Sequence, residues 1–126
     1  MTENELTYII RGAIFEVYNE LGPGLLEKIY ESALYNELTE QGLFVRQQVP
    51  MPVRYKGKDL LIGYRLDLLV EERIIIEIKS VELIHPVHHK QLMTYLKLMD
   101  LRLGILVNFN ETQVNKAIFR KLNGYN

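Results

Sequence analysis

Two apolar runs joined by three charged residues constrain this chain more than anything else in it. The stretch from Gly63 to Ser80 holds Leu66, Leu68, Leu69 and Val70, then Glu71, Glu72 and Arg73, then Ile74, Ile75, Ile76 and Ile78. Short aliphatic runs of this kind predict β-strands, and the polar residues between them predict a tight turn. Asp67 interrupts the first strand, and Glu77 and Lys79 interrupt the second. An ionised carboxylate in such surroundings is costly unless something compensates its charge.

The turn decides where these charges meet. With a three-residue loop at 71–73, Val70 opposes Ile74. Asp67 then faces Glu77 on one side of the sheet, with Lys79 on that same side. Opposed Cβ atoms lie roughly 4.5–5.5 Å apart, where like charges repel. A two-residue loop shifts the register by one and sends Asp67 to the other face, and no glycine in the turn selects between the two. In the first register a hard divalent cation would reconcile the carboxylates. Mg²⁺ takes oxygen ligands at about 2.0–2.1 Å and is commonly held by one or two carboxylates plus phosphate oxygens. A lysine on the same side would orient a water or neutralise charge developing on a phosphate. A solvated strand face carrying a Glu–Lys pair explains the same three residues without any ligand.

Composition narrows the class. A chain of 126 residues with 48% hydrophobic and 25% charged content reads as one globular domain over 1–126. Its net charge of −1 gives no overall attraction to nucleic acid, so such binding needs a local patch. The absence of cysteine excludes disulfides and thiolate zinc sites and suits a reducing cytoplasm. The start at Met1–Glu5 is polar and acidic, unlike a secretory leader. No apolar run approaches the ~20 residues of a membrane span. The expectation is a cytoplasmic protein without membrane contact.

Thr2 and Glu5 match a capping box, and Leu6, Ile9, Ile10, Ala13, Ile14, Val17, Tyr18 and Leu21 recur at helical spacing, predicting a helix over 3–21. Gly22, Pro23 and Gly24 end it. A second helix is predicted over 25–41, with Gly42 as its C-terminal cap. Along one side of it Gly24, Glu27 and Tyr30 repeat every three residues. Glu27 either complements the helix dipole or adds an acid to the carboxylate pair. Residues 43–48 read as a short strand, and Pro50 and Pro52 exclude a central strand after it. Val53–Tyr55 and Asp59–Ile62 flank a hairpin turn at Lys56, Gly57 and Lys58. A third helix is predicted over 87–99, with His88, Gln91 and Tyr95 along one side. His85, His88 and His89 fit no standard zinc spacing. Leu103–Phe109 reads as a strand reached by a crossover. A last helix is expected over 112–122, with Val114, Ala117, Ile118 and Leu122 inward and Lys116, Arg120 and Lys121 outward. The order α-α-β-β-β-α-β-α predicts an α/β domain with a mixed sheet.

With these pieces placed, the chain resembles the small prokaryotic GxxExxY family of the PD-(D/E)XK nuclease superfamily. The naming motif stands as Gly24, Glu27 and Tyr30, and the nuclease signature as Asp67 followed by Glu77, Ile78 and Lys79. Two further blocks run through Pro86, Val87, His88, Gln91, Leu92, Tyr95 and Lys97, and through Gly104, Asn108 and Phe109. The superfamily's proline before the aspartate is Leu66 here. The resemblance implies a restriction-endonuclease-like fold, a mixed sheet flanked by helices on both faces. It implies that Asp67, Glu77 and the carbonyl of Ile78 hold Mg²⁺ or Mn²⁺, and that Lys79 positions or activates the attacking water. Glu27 and Gln91 would join the catalytic set, with Tyr95 and His88 beside the nucleic acid.

The expected activity is metal-dependent hydrolysis of phosphodiester bonds in DNA, with RNA second. Substrate contacts are expected from Lys116, Arg120 and Lys121, or from Arg54, Lys56 and Lys58. A symmetric homodimer would present two sites to a duplex. Two competing readings keep the fold without the chemistry: a nucleic-acid-binding or accessory module, and a homo-oligomeric interaction protein. The intact Asp67, Glu77 and Lys79 set favours the enzyme.

Overall fold

Three α-helices and five strands make up residues 1–124, which the computed structural model describes in full apart from the side chains of 61 and 62. In chain order they are α1 (Glu3–Leu21), α2 (Glu27–Glu40), β1 (Val45–Tyr55), β2 (Lys58–Val70), β3 (Ile74–Lys79), α3 (Pro86–Met99), β4 (Leu103–Asn108) and β5 (Ile118–Leu122), with one 3₁₀ turn at Val114–Lys116. The strands form one sheet in the order β1-β2-β3-β4-β5. Only β3 and β4 pair in parallel, and α3 is the crossover that a parallel pair requires.

Local chemistry sets the helix ends. The capping box forms as expected: Glu5 N donates to Thr2 Oγ1 at 3.1 Å and Thr2 N donates to Glu5 Oε1 at 2.9 Å. At the end of α2, Leu43 N donates to Leu38 O and Gly42 N to Thr39 O, with Gly42 at φ 87°. This pair of bonds closes the helix through a left-handed residue, where glycine carries no steric penalty.

The sheet is covered on both sides, which explains its continuous aliphatic runs. Leu68, Val70, Ile74, Ile76, Ile78, Leu103, Ile105 and Val107 pack under α1 and α2. Leu69, Ile75 and Leu106 pack under Leu92, Tyr95 and Leu96 of α3. The 2–3 hairpin has the register of a three-residue loop, with Val70 opposite Ile74. Glu71 and Glu72 take left-handed φ values of 54° and 55° there, and Arg73 N closes the turn on Val70 O. β1 holds them in place: Glu71 N donates to Phe44 O, Phe44 N donates to Glu71 Oε2, and Arg46 pairs with Glu72 at 3.0 Å.

Two elements differ from expectation. Residues 45–55 form one strand although it contains Pro50 and Pro52. β1 lies at the sheet edge, where a residue needs no outward donor, so the prolines cost no ladder bond. The turn beyond it spans only Lys56 and Gly57, since Tyr55 already opposes Lys58. The last helix is absent: Ile118–Leu122 is a strand antiparallel to β4. The spacing of Val114, Ala117 and Ile118 resembled a helix. However, β4 would otherwise be left with an unpaired edge, and a five-residue segment gains more backbone bonds from that edge than from an isolated turn.

Candidate active site

β2 and β3 pair only from Val70↔Ile74 to Leu68↔Ile76. β3 continues beside β4 as far as Lys79↔Asn108, so its β2 side opens one residue past Ile76. The two carboxylates fill this opening. Glu77 Oε2 accepts from Asp67 N at 2.9 Å, and Asp67 Oδ2 accepts from Ile78 N at 2.8 Å. Each acid thus satisfies a backbone donor left without a carbonyl: Ile78 N where β2 parts from β3, and Asp67 N where the left-handed Gln48 interrupts the pairing with β1. Each also keeps one oxygen, Asp67 Oδ1 and Glu77 Oε1, uncommitted to the backbone.

This position is electrostatically costly. Burial, followed by the charge of Asp67, pushes Glu77 up to about 8. Burial raises Asp67 as well, against the Ile78 N–H bond, and Glu31 adds to the rise. Lys79, half-buried at the end of β3, pulls both acids down. A divalent cation fits this donor set: Glu77 Oε1 has no hydrogen-bond partner among the described residues, Asp67 Oδ1 has only a long bond of 3.4 Å from Gln48 Nε2, and the repulsion between the two acids is what a cation relieves. No third His, Cys, Asp or Glu joins them in a metal-ligating cluster among the described residues.

The helices bring the other expected residues to different depths. Tyr95 is buried on α3; burial first, then Glu77, Tyr64 and Asp67, push its hydroxyl up to about 12. Gln91 lies one turn earlier on α3, exposed and without a side-chain hydrogen bond among the described residues. His88 Nδ1 accepts from His85 N at 3.0 Å, which makes it a helix cap. Burial and Lys79 lower its pKa. His89 packs edge-on against Phe119, so the three histidines do not converge.

Glu27 accepts from Ser80 N at 3.1 Å, and Ser80 Oγ donates to Leu25 O at 2.6 Å. These bonds tie the end of β3 to the start of α2. Tyr30, the last residue of the motif, is wholly buried. Its ring stacks on Phe109 at 4.4 Å and 3°, and its hydroxyl bonds Gly22 O and Leu25 N. Asn108, 1% exposed, clamps Val81 by both its amide groups, with Oδ1 accepting from Val81 N and Nδ2 donating to Val81 O.

Sequence reasoning missed Glu31 and Gln48. Glu31 follows Glu27 by one helical turn, the spacing that puts both on one face of α2. Gln48 Nε2 donates to Glu31 Oε1 at 2.6 Å and lies 3.4 Å from Asp67 Oδ1. Its left-handed φ of 49° breaks the alternation of β1. The face exchange that follows puts Val49 and Leu66 on the α3 side, whereas Val45 and Leu68 lie on the other. The basic trio does not form one patch. Lys116 sits on the 3₁₀ turn, Arg120 bonds Asn4 of α1, and Lys121 acts on His89 of α3.

A family model of the PD-(D/E)XK nuclease superfamily matches residues 4–121. The chain belongs to the PD-(D/E)XK nuclease superfamily. Superfamily members generally use divalent metals and act on nucleic acid. The crystal structure of SSO0001 is similar to this nuclease-superfamily chain, with 27% identity and a TM-score of 0.58 over 79% of this chain and 50% of that one. The chain therefore spans half the length of that protein. No curated protein matches it in sequence. The α/β sheet with helices on both faces is a restriction-endonuclease-like fold. Among the described residues no helix is long and apolar enough to cross a membrane.

Proposed function

We propose that the chain is a Mg²⁺- or Mn²⁺-dependent nuclease of the GxxExxY kind, one domain over 1–126, hydrolysing phosphodiester bonds in DNA ahead of RNA. The observation that carries this reading is the carboxylate exchange across the opened ladder. It fixes Asp67 and Glu77 by one oxygen each, leaving Glu77 Oε1 and the weakly bonded Asp67 Oδ1 to meet a cation. Asp67, Glu77 and the carbonyl of Ile78 would hold the cation. When bound, it would polarise the phosphoryl oxygen and lower the pKa of the attacking water. Lys79 would orient that water and meet the negative charge that builds on phosphorus-bound oxygens. Water oxygen bonds to phosphorus as its proton passes to solvent, the bond to the leaving oxygen breaks, and that oxygen takes a proton from solvent and departs as a hydroxyl. Tyr95 stays a neutral hydroxyl throughout, and Gln91 and His88 face the substrate from α3.

The acids of α2 divide the work. Glu27 is a positioning residue, holding Ser80 and so the end of β3. Glu31 is the nearer acid, and would meet a hydrated cation through water, since Mg²⁺ keeps several of its waters. We further propose a cytoplasmic setting, which the cysteine-free sequence suits, and a symmetric homodimer, which sedimentation checks.

The deciding experiment is turnover of single-stranded, duplex and branched DNA and of RNA with Mg²⁺ or Mn²⁺. Wild type is compared with Asp67→Ala, Glu77→Ala and Lys79→Ala. Each variant should lose about 10²-fold or more; equal activity in all four proteins refutes the enzyme. In a calorimetric Mn²⁺ titration, Glu31→Gln should weaken binding more than Glu27→Gln does.

A further inference from the structure

The positive charge of this chain gathers on the hairpin that leads into Asp67. Because β2 pairs with β3 only over Leu68–Val70, residues 50–65 form a two-stranded ribbon outside the main sheet pairing. These residues hold Arg54, Lys56, Lys58 and Arg65 against a single acid, Asp59. Four cations against one acid give the ribbon about +3, so the rest of a chain of net charge −1 carries about −4. Arg54 lies 3.5 Å from Asp59, whereas Lys56, Lys58 and Arg65 form no salt bridge among the described residues. A polyanion is drawn to such a ribbon and repelled from the rest of the surface.

Aromatic rings lie among these cations. Tyr55 and Tyr64 are 60% and 45% exposed, so both rings offer a face to solvent. Pro50, Pro52, Leu60, Tyr64 and Arg65 line a cleft of about 630 Å³. The cleft adjoins the candidate active site. Arg65 is two residues from Asp67, and the Tyr64 ring lies 5.1 Å from the ring of Tyr95, whose hydroxyl senses Glu77 and Asp67. Tyr64 faces α3 with Met51, and Arg65, the next residue, lies on the opposite face with Pro50, across the edge of β2 that β3 leaves unpaired. An exposed ring and a guanidinium on either side of one free strand edge have the chemistry of a nucleobase and a neighbouring phosphate. A base inside a duplex already has both faces stacked, so only an unpaired base has a face to offer.

We propose that the ribbon binds unpaired nucleotides next to the scissile phosphodiester. One base stacks on the exposed ring of Tyr64, the strand passes over the unpaired edge of β2 so that Arg65 meets a neighbouring phosphate, and Arg54, Lys56 and Lys58 track the backbone beyond. The proposal rests on the nuclease reading and narrows it to substrates with a single-stranded segment, such as single strands, forks and flaps.

Fluorescence anisotropy in EDTA tests this without cleavage. The probes are a labelled DNA strand of about fifteen nucleotides, the same sequence as a blunt duplex, and a fork. Wild type should bind strand and fork at least about tenfold tighter than duplex. Tyr64→Leu should lose about tenfold for the strand while Tyr64→Phe, which keeps a ring face, binds normally. Replacing Arg54, Lys56 and Lys58 together with Ala should reduce the slope of log K against log salt by about 2. Arg65→Ala, an exposed change that leaves the packing at Tyr95 intact, should lose several-fold. Thermal melting confirms that Tyr64→Leu is folded. Equal wild-type affinity for strand and duplex overturns the proposal, as does unchanged strand binding by folded Tyr64→Leu or by Arg65→Ala. Turnover with Mn²⁺ is measured separately, so strand binding with no turnover refutes the nuclease reading alone.

Discussion

Glu77 is the group whose ionisation the fold opposes most, and this makes a stability prediction independent of any substrate. Burial, then Asp67, raise it from 4.5 to about 8, while the Asp67 N–H and Lys79 act in the opposite direction. An acid raised in this way keeps its proton in the fold at pH values where the unfolded chain has lost it. Below about pH 4.5 both states are protonated and nothing is gained or lost. From there to about pH 8 the folded state binds more protons, so stability falls as pH rises. A displacement from 4.5 to about 8, at 1.36 kcal/mol per unit, corresponds to roughly 5 kcal/mol if nothing relaxes. Water reaching the free oxygens would bring this to about 2–5 kcal/mol.

Glu77→Gln isolates that contribution, because glutamine imitates the protonated acid in shape and can still accept from Asp67 N. Urea denaturation of both proteins in EDTA at pH 5 and pH 8.5 is the assay. Taking the difference between them cancels His88 and His89, whose lowered pKa values act in both proteins. The two should be about equally stable at pH 5. At pH 8.5 the glutamine variant should be more stable by about 2–5 kcal/mol. Mn²⁺ at a hundred times its Kd should then raise wild type by about 2.7 kcal/mol and leave the variant nearly unchanged. A glutamine variant less stable than wild type at pH 8.5 would show that the site stabilises the carboxylate, which refutes the reasoning from burial.

The support behind the site is testable in the same way. Phe109→Ala removes the ring stacked on Tyr30 and should cost about 3–5 kcal/mol in urea denaturation. Asn108→Ala strands the N–H of Val81, whose carbonyl keeps the bond from Asn110 Nδ2 at 3.3 Å; hydrogen exchange should show the Val81 amide losing protection, with a cost of about 1–3 kcal/mol. Gly104→Ala would place a Cβ 2.8 Å from Leu92 Cδ1, a side chain with no exposed surface to move into. It should cost about 1–3 kcal/mol, and Leu92→Val in the same chain should recover part of that loss.

Much of the fold was legible because it follows from local patterns. The α1 repeat, its capping box and the aliphatic runs of β3 and β4 each specify one structure. Helix and strand were confused at 112–122, where five residues carry too little pattern and the unpaired edge of β4 decides. The site was legible only in part. Asp67 and Glu77 share a side because of a loop whose left-handed residues are glutamates, and only their bonds to β1 explain that choice. Glu31 was hidden because nothing local marks Gln48 as left-handed, and the amide of Gln48 is what links Glu31 to Asp67.

One structural event connects the carboxylate pair with the ribbon. β2 leaves β3 at Leu68↔Ile76 while β3 stays with β4. Had β2 and β3 stayed paired, the carbonyl of Leu66 would have met Ile78 N, and Asp67 would have been directed at α3 with no backbone bond to hold it. The parting leaves Ile78 N to the Asp67 carboxylate, as the interruption of β1 at Gln48 leaves Asp67 N to that of Glu77. It also frees β2 from Arg65 back to Lys58 to run out with β1 alone. A substitution that restored the ladder would therefore remove the cation site and draw in the ribbon together. The two functions proposed for this hairpin share one geometric cause.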